Sequence, residues 1–174
     1  MNLAKKIATL HIQAKKYNRI VYTPSPITSF RNVKQETPRS AIQKPKGLWY
    51  ECNKGWKEFV QYEFRHKIED YNHKYSLEVN LSRMCVIRTE KEMERFSYEY
   101  GFQINGRWGI DWAKVSVDFD GIEICPSIYD SDDMFDWYEY WDIASGCIWG
   151  SGALKSLTEV DNDIGDEEFK SEWN

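Results

Sequence analysis

The ten residues WDIASGCIWG (Trp141–Gly150) decide the fold class that we predict for this chain. The short apolar run Gly146–Trp149 is typical of a buried core strand. Small and polar residues precede this run, and tryptophans flank it on both sides. Because small residues in a strand allow a ligand or a backbone to approach closely, we expect residues 141–145 to face a cleft. Asp142 is the carboxylate at the entry to this strand.

Outward from this strand, strand and helix patterns mix without strict alternation, which favours an α+β fold. The predicted strands are 20–23, 47–52, 75–82, 84–89 and 121–125, and the predicted helices are 3–17, 53–68, 90–100 and a short one that Asp111 caps. Thr89 and Glu92 form a capping-box pattern at the start of one helix. The sequence therefore predicts a small mixed or antiparallel β-sheet core with flanking helices.

The domain organisation predicted for the 174 residues is one domain with two extensions. Residues 1–18 form an amphipathic N-terminal helix, residues 19–157 form a single α+β domain, and residues 158–174 are an acidic tail that we expect to be disordered. Residues 31–46 are polar and contain two prolines, which indicates a loop. Long loops in small domains often cover a site.

Charge is distributed unevenly along the chain. The formal net charge is −5, but residues 1–50 carry +9 and residues 111–174 carry −14. A basic N-terminal third is compatible with contact to nucleic acid. We favour the alternative that the basic and acidic thirds pack near each other, because no Arg-rich or Gly/aromatic motif accompanies the charge.

The four cysteines are Cys52, Cys85, Cys125 and Cys147, without a C-x-x-C pair. This spacing does not indicate a metal site. Two disulfides are possible by count, but three of the cysteines lie in apolar runs, so we expect buried, reduced thiols. No apolar run approaches the roughly 20 residues that span a bilayer. We therefore expect a cytoplasmic protein without a membrane partner.

The common catalytic motifs are absent from the sequence. There is no G-x-G-x-x-G, no G-K-[ST] and no G-x-S-x-G motif, and the chain has only three histidines. A Ser-His or Cys-His nucleophile is therefore not indicated.

Aromatic residues are abundant, with eight Trp, eleven Tyr and eight Phe. Packing in the core accounts well for four of them, Phe59, Phe64, Phe96 and Trp112. It accounts less well for four tryptophans next to glycine-bearing or small-residue strands, Trp49, Trp56, Trp141 and Trp149. A flat, partly cationic ring such as nicotinamide would stack well on these tryptophans.

Three stretches resemble the ADP-ribosyltransferase fold of the poly(ADP-ribose) polymerase and diphtheria-toxin type. IVYT (Ile20–Thr23) with the following PSPITSF resembles that family's opening strand and NAD-holding turn. KPKGLWYEC (Lys44–Cys52) with NKGWKEF resembles its second strand and the helix start behind it. DGIEI (Asp120–Ile124) and SGCIWGSGALKSL (Ser145–Leu157) resemble its late strand that carries the catalytic acid.

The resemblance implies an NAD-dependent mono-ADP-ribosyltransferase acting on a protein or nucleic-acid acceptor, with NAD as substrate. It implies cofactor contacts at Thr23, Gly47, Trp49 and Trp56. The chain departs from the family at two places, with Thr23 where a His or Arg is usual and Ser145 where a Glu is usual.

The departure at Ser145 leaves the catalytic carboxylate to be supplied by a nearby residue, and the resemblance makes Asp142 the preferred candidate and Glu139 the alternative. A second interpretation is an inactive relative that binds a ligand or inhibits a partner. A third is an RNA-end-processing enzyme that uses NAD to remove a phosphate, for which Arg19, Arg31 and Arg39 are candidate phosphate contacts.

Overall fold

The computed structural model describes residues 17–53, 55–63, 70–128 and 135–162 of the chain. The predicted N-terminal helix over residues 1–18 lies almost entirely outside the described residues. The same holds for residues 163–174 of the predicted acidic tail.

Within these described residues, nine β-strands account for most of the regular structure. In chain order they are β1 (Arg19–Thr23), β2 (Leu48–Cys52), β3 (His73–Val79), β4 (Met84–Ile87), β5 (Gly101–Ile104), β6 (Arg107–Ile110), β7 (Gly121–Ile124), β8 (Ser145–Ile148) and β9 (Leu154–Val160). Seven of them form one sheet in the order β4-β7-β8-β2-β1-β3-β9. Only the β4–β7 pair is parallel among the described strands.

In the described part of the chain, three α-helices accompany the sheet, namely α1 (Gly55–Glu63), α2 (Glu90–Tyr100) and α3 (Trp112–Asp118). Thr89 accepts a hydrogen bond from the Glu92 backbone N–H at 3.3 Å, as its cap position predicts. The Glu92 carboxylate accepts a hydrogen bond from the Arg88 backbone N–H. A capping box would use the N–H of the next residue, Thr89. Asp111 caps α3 by accepting from the Lys114 N–H at 3.3 Å. The prediction of an α+β fold with a largely antiparallel sheet is confirmed.

The β5–β6 hairpin was not among the predicted elements. Its two-residue turn is Asn105-Gly106, with φ of 52° and 78°. Positive φ at both turn residues is the geometry that an Asn-Gly pair favours between antiparallel strands. The Asn105-Gly106 dipeptide is therefore the sequence signal for this hairpin, which strand and helix periodicity does not detect.

The sheet separates two groups of buried side chains, because successive residues of a strand point to opposite faces. One face packs against α2 and α3 and includes Trp137, Trp141 and Trp149. The other face carries Val21, Tyr50, Tyr75 and Leu77. Trp141 and Trp149 are therefore core residues, contrary to the expectation that packing explains them poorly.

The cysteines are all buried, but the expectation of reduced thiols is wrong for two of them. Cys52 and Cys125 form a disulfide with Cα atoms 6.3 Å apart, and Cys85 and Cys147 are free. β8 lies between β2 and β7 in the sheet and begins at Ser145. Cys52 and Cys125 each follow a residue that pairs with Ser145, namely Glu51 and Ile124. Because β8 begins at Ser145, none of its residues lies between the two cysteines, and their sulfurs meet directly. Such a three-dimensional meeting is not visible in cysteine spacing.

The C-terminal part of the described chain is more ordered than predicted. β9 pairs with β3 through Val160, so it continues three residues into the predicted tail at 158–174. Its pairing with β3 supplies backbone hydrogen bonds that the acidic composition does not reveal.

None of the helices in the described segments is long and apolar enough to cross a membrane.

Candidate functional site

A pocket of about 260 Å³ opens on the sheet between β1, β2, the start of α1 and the entry to β8. Because side chains alternate along a strand, Trp49 and Glu51 project to the same face of β2. The residues that define the pocket are Tyr22, Trp49, Glu51, Trp56, Asp142 and Ser145. Together with Tyr71, the lining comes from four separated parts of the sequence, 20–22, 44–59, 71 and 142–145.

Aromatic rings form two walls of the pocket. Tyr22 stacks on Trp56, with ring centroids 4.8 Å apart and planes 15° from parallel. Tyr71 meets Trp56 edge-on at 4.6 Å. Trp49 on the other wall is tilted against the core residue Trp141 at 4.8 Å. These contacts fix the ring positions, since aromatic pairs favour such offset and edge geometries.

Lys44 already places a cation in this pocket. Its Nζ lies 5.6 Å from the centroid of Trp49 and 3.3 Å from Oδ2 of Asp142. Ammonium over an indole face, with a carboxylate beside it, is a favourable cation–π arrangement. Lys44 belongs to the predicted loop at 31–46, so this loop does reach the site, as its length suggested.

Glu51 is the buried carboxylate of the pocket, with 2% of its surface exposed. It accepts a hydrogen bond from the Trp56 backbone N–H at 2.5 Å, which joins the end of β2 to the first turn of α1. In the sheet it lies directly opposite Ser145 of β8. Ser145 Oγ donates to the carbonyl of Ile143 at 3.0 Å.

Four of the six predicted site residues come together in this pocket, namely Trp49, Trp56, Asp142 and Ser145. Thr23 and Gly47 are not among its lining residues. Thr23 Oγ1 donates to the carbonyl of Ser25 at 2.7 Å. A Cβ on Gly47 would lie 2.2 Å from the carbonyl oxygen of Ile148, so this glycine permits the close approach of β8.

The other sequence candidates lie elsewhere. Glu139 pairs with Arg107 and is not part of the pocket lining. Arg19, a candidate phosphate contact, is buried against Glu123 on the opposite face of the sheet. Arg31 and Arg39 are exposed and also lie outside the lining. The pocket therefore has no cluster of arginines among its described residues.

Sequence reasoning missed Tyr22, Glu51 and Tyr71 as pocket residues. Glu51 could have been found, because it is two residues after Trp49 in a predicted strand and must share its face. Side chains also alternate along β1, so Tyr22 points to the face opposite that of its buried neighbour Val21. Tyr71 lies outside any predicted strand, and no pattern in the sequence marks it.

Cysteine and metal chemistry have little support in the described residues. Burial raises the pKa of the Cys85 thiol to about 12 and holds the pKa of Cys147 well above its usual value. Both groups are therefore poor thiolate nucleophiles at neutral pH. Cys52, Glu123 and Cys125 lie within 4.8 Å of one another. Their two sulfurs are bonded to each other and the Glu123 carboxylate is held by Arg19.

No protein-family model, curated protein or solved structure matches this chain. The likeness to ADP-ribosyltransferases therefore rests on the sequence stretches that carry it. Any function must be argued from the pocket itself.

Proposed function

We propose that the pocket binds the nicotinamide end of NAD and that the protein is a mono-ADP-ribosyltransferase for a protein or nucleic-acid acceptor. One observation carries the proposal. Trp49, Trp56, Asp142 and Ser145 were predicted as site residues from separate stretches, and they line a single aromatic pocket. The four residues come from two stretches, 49–56 and 142–145, that lie far apart in the sequence, and their meeting in one pocket is what the predicted site requires.

Charge and shape support a flat cationic ligand. The lining contains two carboxylates, Glu51 and Asp142, and one ammonium, Lys44. The formal charge of the pocket is therefore negative. The nicotinamide ring of NAD carries a positive charge, and aromatic walls attract such a ring through their negative faces. Lys44 occupies the position over Trp49 that this ring would take.

The volume supports binding of one end of NAD rather than the whole molecule. About 260 Å³ lies slightly below the roughly 300–1,000 Å³ typical of sites for drug-sized ligands. A single ring with part of its ribose suits that space. In this proposal the rest of NAD extends beyond the pocket, past the rim that Lys44 and Asp142 form.

The reaction requires an acidic group near the ribose. When the ribose–nicotinamide bond breaks, its electron pair goes to the ring nitrogen and neutral nicotinamide leaves. The ribose then carries positive charge, which a carboxylate stabilises in a pocket shielded from water. An acceptor nucleophile bonds to the ribose C1′ and loses its proton to solvent. The pocket offers two carboxylates for this role, Asp142 at the rim and Glu51 inside.

A binding protein without catalytic activity is the second candidate. It is favoured by Ser145, which stands where the resemblance places a catalytic Glu and instead hydrogen-bonds the carbonyl of Ile143. Such a protein would bind NAD, or another flat cation, without breaking a bond.

Proton NMR of the protein with NAD over several hours tests both candidates. The transferase predicts broadened nicotinamide signals together with growing signals of free nicotinamide. Broadening without release supports the binding protein, and unchanged sharp signals exclude NAD as the ligand.

A matched pair of variants locates the binding. Trp49→Ala should abolish the broadening, because it removes the aromatic face beneath the proposed ring. Tyr62→Ala should leave it intact, since Tyr62 is 80% exposed on α1 and outside the pocket lining. Equal effects of the two substitutions would place the ligand elsewhere.

A further inference from the structure

We propose that Glu51 is the carboxylate that stabilises the ribose cation, replacing from the neighbouring strand the acid that is missing at Ser145. This inference rests on the proposed transferase function and assigns the catalytic residue of that same pocket. It makes Glu51, rather than Asp142, the acid of the reaction.

The register of β2 and β8 places the two positions side by side. Glu51 is the direct partner of Ser145 in this antiparallel pair. Side chains at directly opposite positions have Cβ atoms about 4.5–5.5 Å apart and project from the same face. A Glu on β2 can therefore bring its carboxylate to the space that a Glu at position 145 would serve. Ser145 is small and leaves that space open.

Burial distinguishes Glu51 from Asp142. Glu51 is 2% exposed, whereas the Asp142 side chain is 41% exposed and pairs with Lys44. A charge shielded from water acts more strongly on a neighbouring cation than an exposed one, because the surrounding dielectric screens it less. The hydrogen bond from the Trp56 N–H also fixes the direction of the Glu51 carboxylate before any ligand binds. Such preorganisation is what electrostatic stabilisation of a transition state needs.

The step balances without a further reagent. The C1′–N1 bond breaks, its electron pair neutralises the ring nitrogen, and nicotinamide departs. The Glu51 carboxylate stabilises the positive ribose electrostatically, without forming a bond to it. Water or another nucleophile then bonds to C1′ and releases one proton to solvent. With water alone, the net reaction is hydrolysis of NAD to ADP-ribose and nicotinamide.

The competing explanation is that Glu51 has a purely structural role, which includes its hydrogen bond from the Trp56 N–H. Glu51→Gln separates the two roles, because the Gln carbonyl oxygen still accepts that hydrogen bond while the charge is lost. Glu159→Gln is the control, since it neutralises an exposed carboxylate outside the pocket lining, and Asp142→Asn tests the other carboxylate of the pocket. The double variant Glu51→Gln/Ser145→Glu moves the carboxylate across the strand pair.

The experiment measures NAD affinity by line broadening and the nicotinamide release rate at saturating NAD. We expect Glu51→Gln to bind NAD within a few-fold of wild type and to lower release by about 10²-fold or more, as loss of one stabilising group does. Glu159→Gln should release nicotinamide at the wild-type rate, and Asp142→Asn should lower the rate less than Glu51→Gln does. The double variant should recover part of the loss, which a purely structural role of Glu51 would not produce.

The assignment of Glu51 and the transferase function would be overturned by different results. If Glu51→Gln releases nicotinamide at the wild-type rate, the protein is still a transferase but Glu51 is not its catalytic carboxylate. A wild-type protein that binds NAD and never releases nicotinamide removes the transferase itself. If Glu51→Gln does not fold, Glu51→Asp is used instead. Asp keeps the carboxylate, but its side chain is shorter by one methylene, so the charge lies farther from the ribose. An unchanged rate in Glu51→Asp would also count against the proposal.

Discussion

Arg19 Nε donates to Glu123 Oε2 at 2.5 Å, and Arg19 Nη2 donates to Glu123 Oε1 at 3.0 Å, in the interior of the protein. Tyr50 donates its hydroxyl to the same carboxylate at 2.7 Å, and Arg88 donates to it as well. This cluster joins β1, β2 and β7 on the face opposite the pocket. It thereby fixes the strands whose other faces carry Tyr22, Trp49 and Glu51.

Glu123→Gln should destabilise the fold strongly. The substitution keeps the shape of the side chain but leaves the buried Arg19 charge without its carboxylate, and breaking a buried pair in this way costs about 3–5 kcal/mol. Urea unfolding measures the change. Glu159→Gln is the control, because Glu159 is an exposed partner of His73. A loss no greater than that of the control would show that the cluster contributes little.

Glu123 also predicts how stability depends on pH. Burial alone would raise the pKa of this carboxyl, but Arg19, then Arg88 and Tyr50, outweigh burial and hold the pKa below its ordinary value. The stabilisation is therefore complete above the unfolded value of about 4.3 and is lost as the pH falls through the lower folded value. Unfolding free energies from pH 7 to pH 2 should fall less steeply in Glu123→Gln. Equal slopes for the two proteins would contradict this.

Gly146→Ala should disturb the same cluster from β8. A Cβ at this position would lie 2.3 Å from the ring carbon and hydroxyl of Tyr50 and 2.8 Å from the Ile122 carbonyl oxygen. The backbone contact cannot move aside easily, so we expect a loss of about 1–3 kcal/mol by thermal or urea unfolding. Gly55→Ala is the control, since its Cβ meets Ile143 at an ordinary 3.5 Å. Equal stability of both variants would refute the steric argument.

The disulfide predicts a thiol count that depends on reduction. Denatured protein without reductant should show two reactive thiols, those of Cys85 and Cys147, and four after reduction. Cys52→Ala/Cys125→Ala should lower the free energy of unfolding by about 2–4 kcal/mol, because the bond restricts the unfolded chain. Reductant should lower the stability of wild type but not of this double variant. Four thiols without reductant would mean that the bond does not form.

Lys44→Ala should increase the affinity for a cationic ring. The Lys44 ammonium competes for the face of Trp49 and for Asp142. A cation–π contact of about 0.5–1 kcal/mol corresponds to roughly two- to fivefold tighter binding of 1-methylnicotinamide, measured by NMR titration. Lys46→Ala serves as the control, because Lys46 is exposed and pairs with Glu36. Weaker binding by Lys44→Ala would show instead that Lys44 assists the ligand.

The sequence by itself determined the fold class and much of the secondary structure, but not β9, which extends into the predicted tail. Strand and helix periodicity depends on neighbours along the chain, so β2, β7 and β8 and the caps at Thr89 and Asp111 were predictable. The same local rules predicted a cleft beside Trp49 and Trp56, which do line a pocket, but they applied equally to Trp141 and Trp149, which are buried in the core. Where a local signal was overlooked, as at Asn105-Gly106, the information was still present in the sequence.

Only the tertiary structure decided which residues meet. The order β7-β8-β2-β1 brings Asp142 and Ser145 against Trp49, joins Cys52 to Cys125, and directs Arg19 to Glu123 rather than into the pocket. These partners lie far apart in the sequence and meet because their strands pair. The pairing is made by backbone hydrogen bonds, and since every residue type has the same backbone groups, the local sequence does not reveal which strands pair. Strand alternation places Glu51 on the same face as Trp49, but its burial and its position opposite Ser145 are known only from the tertiary structure. The position of a charge in three dimensions, not its position in the chain, gives it a role.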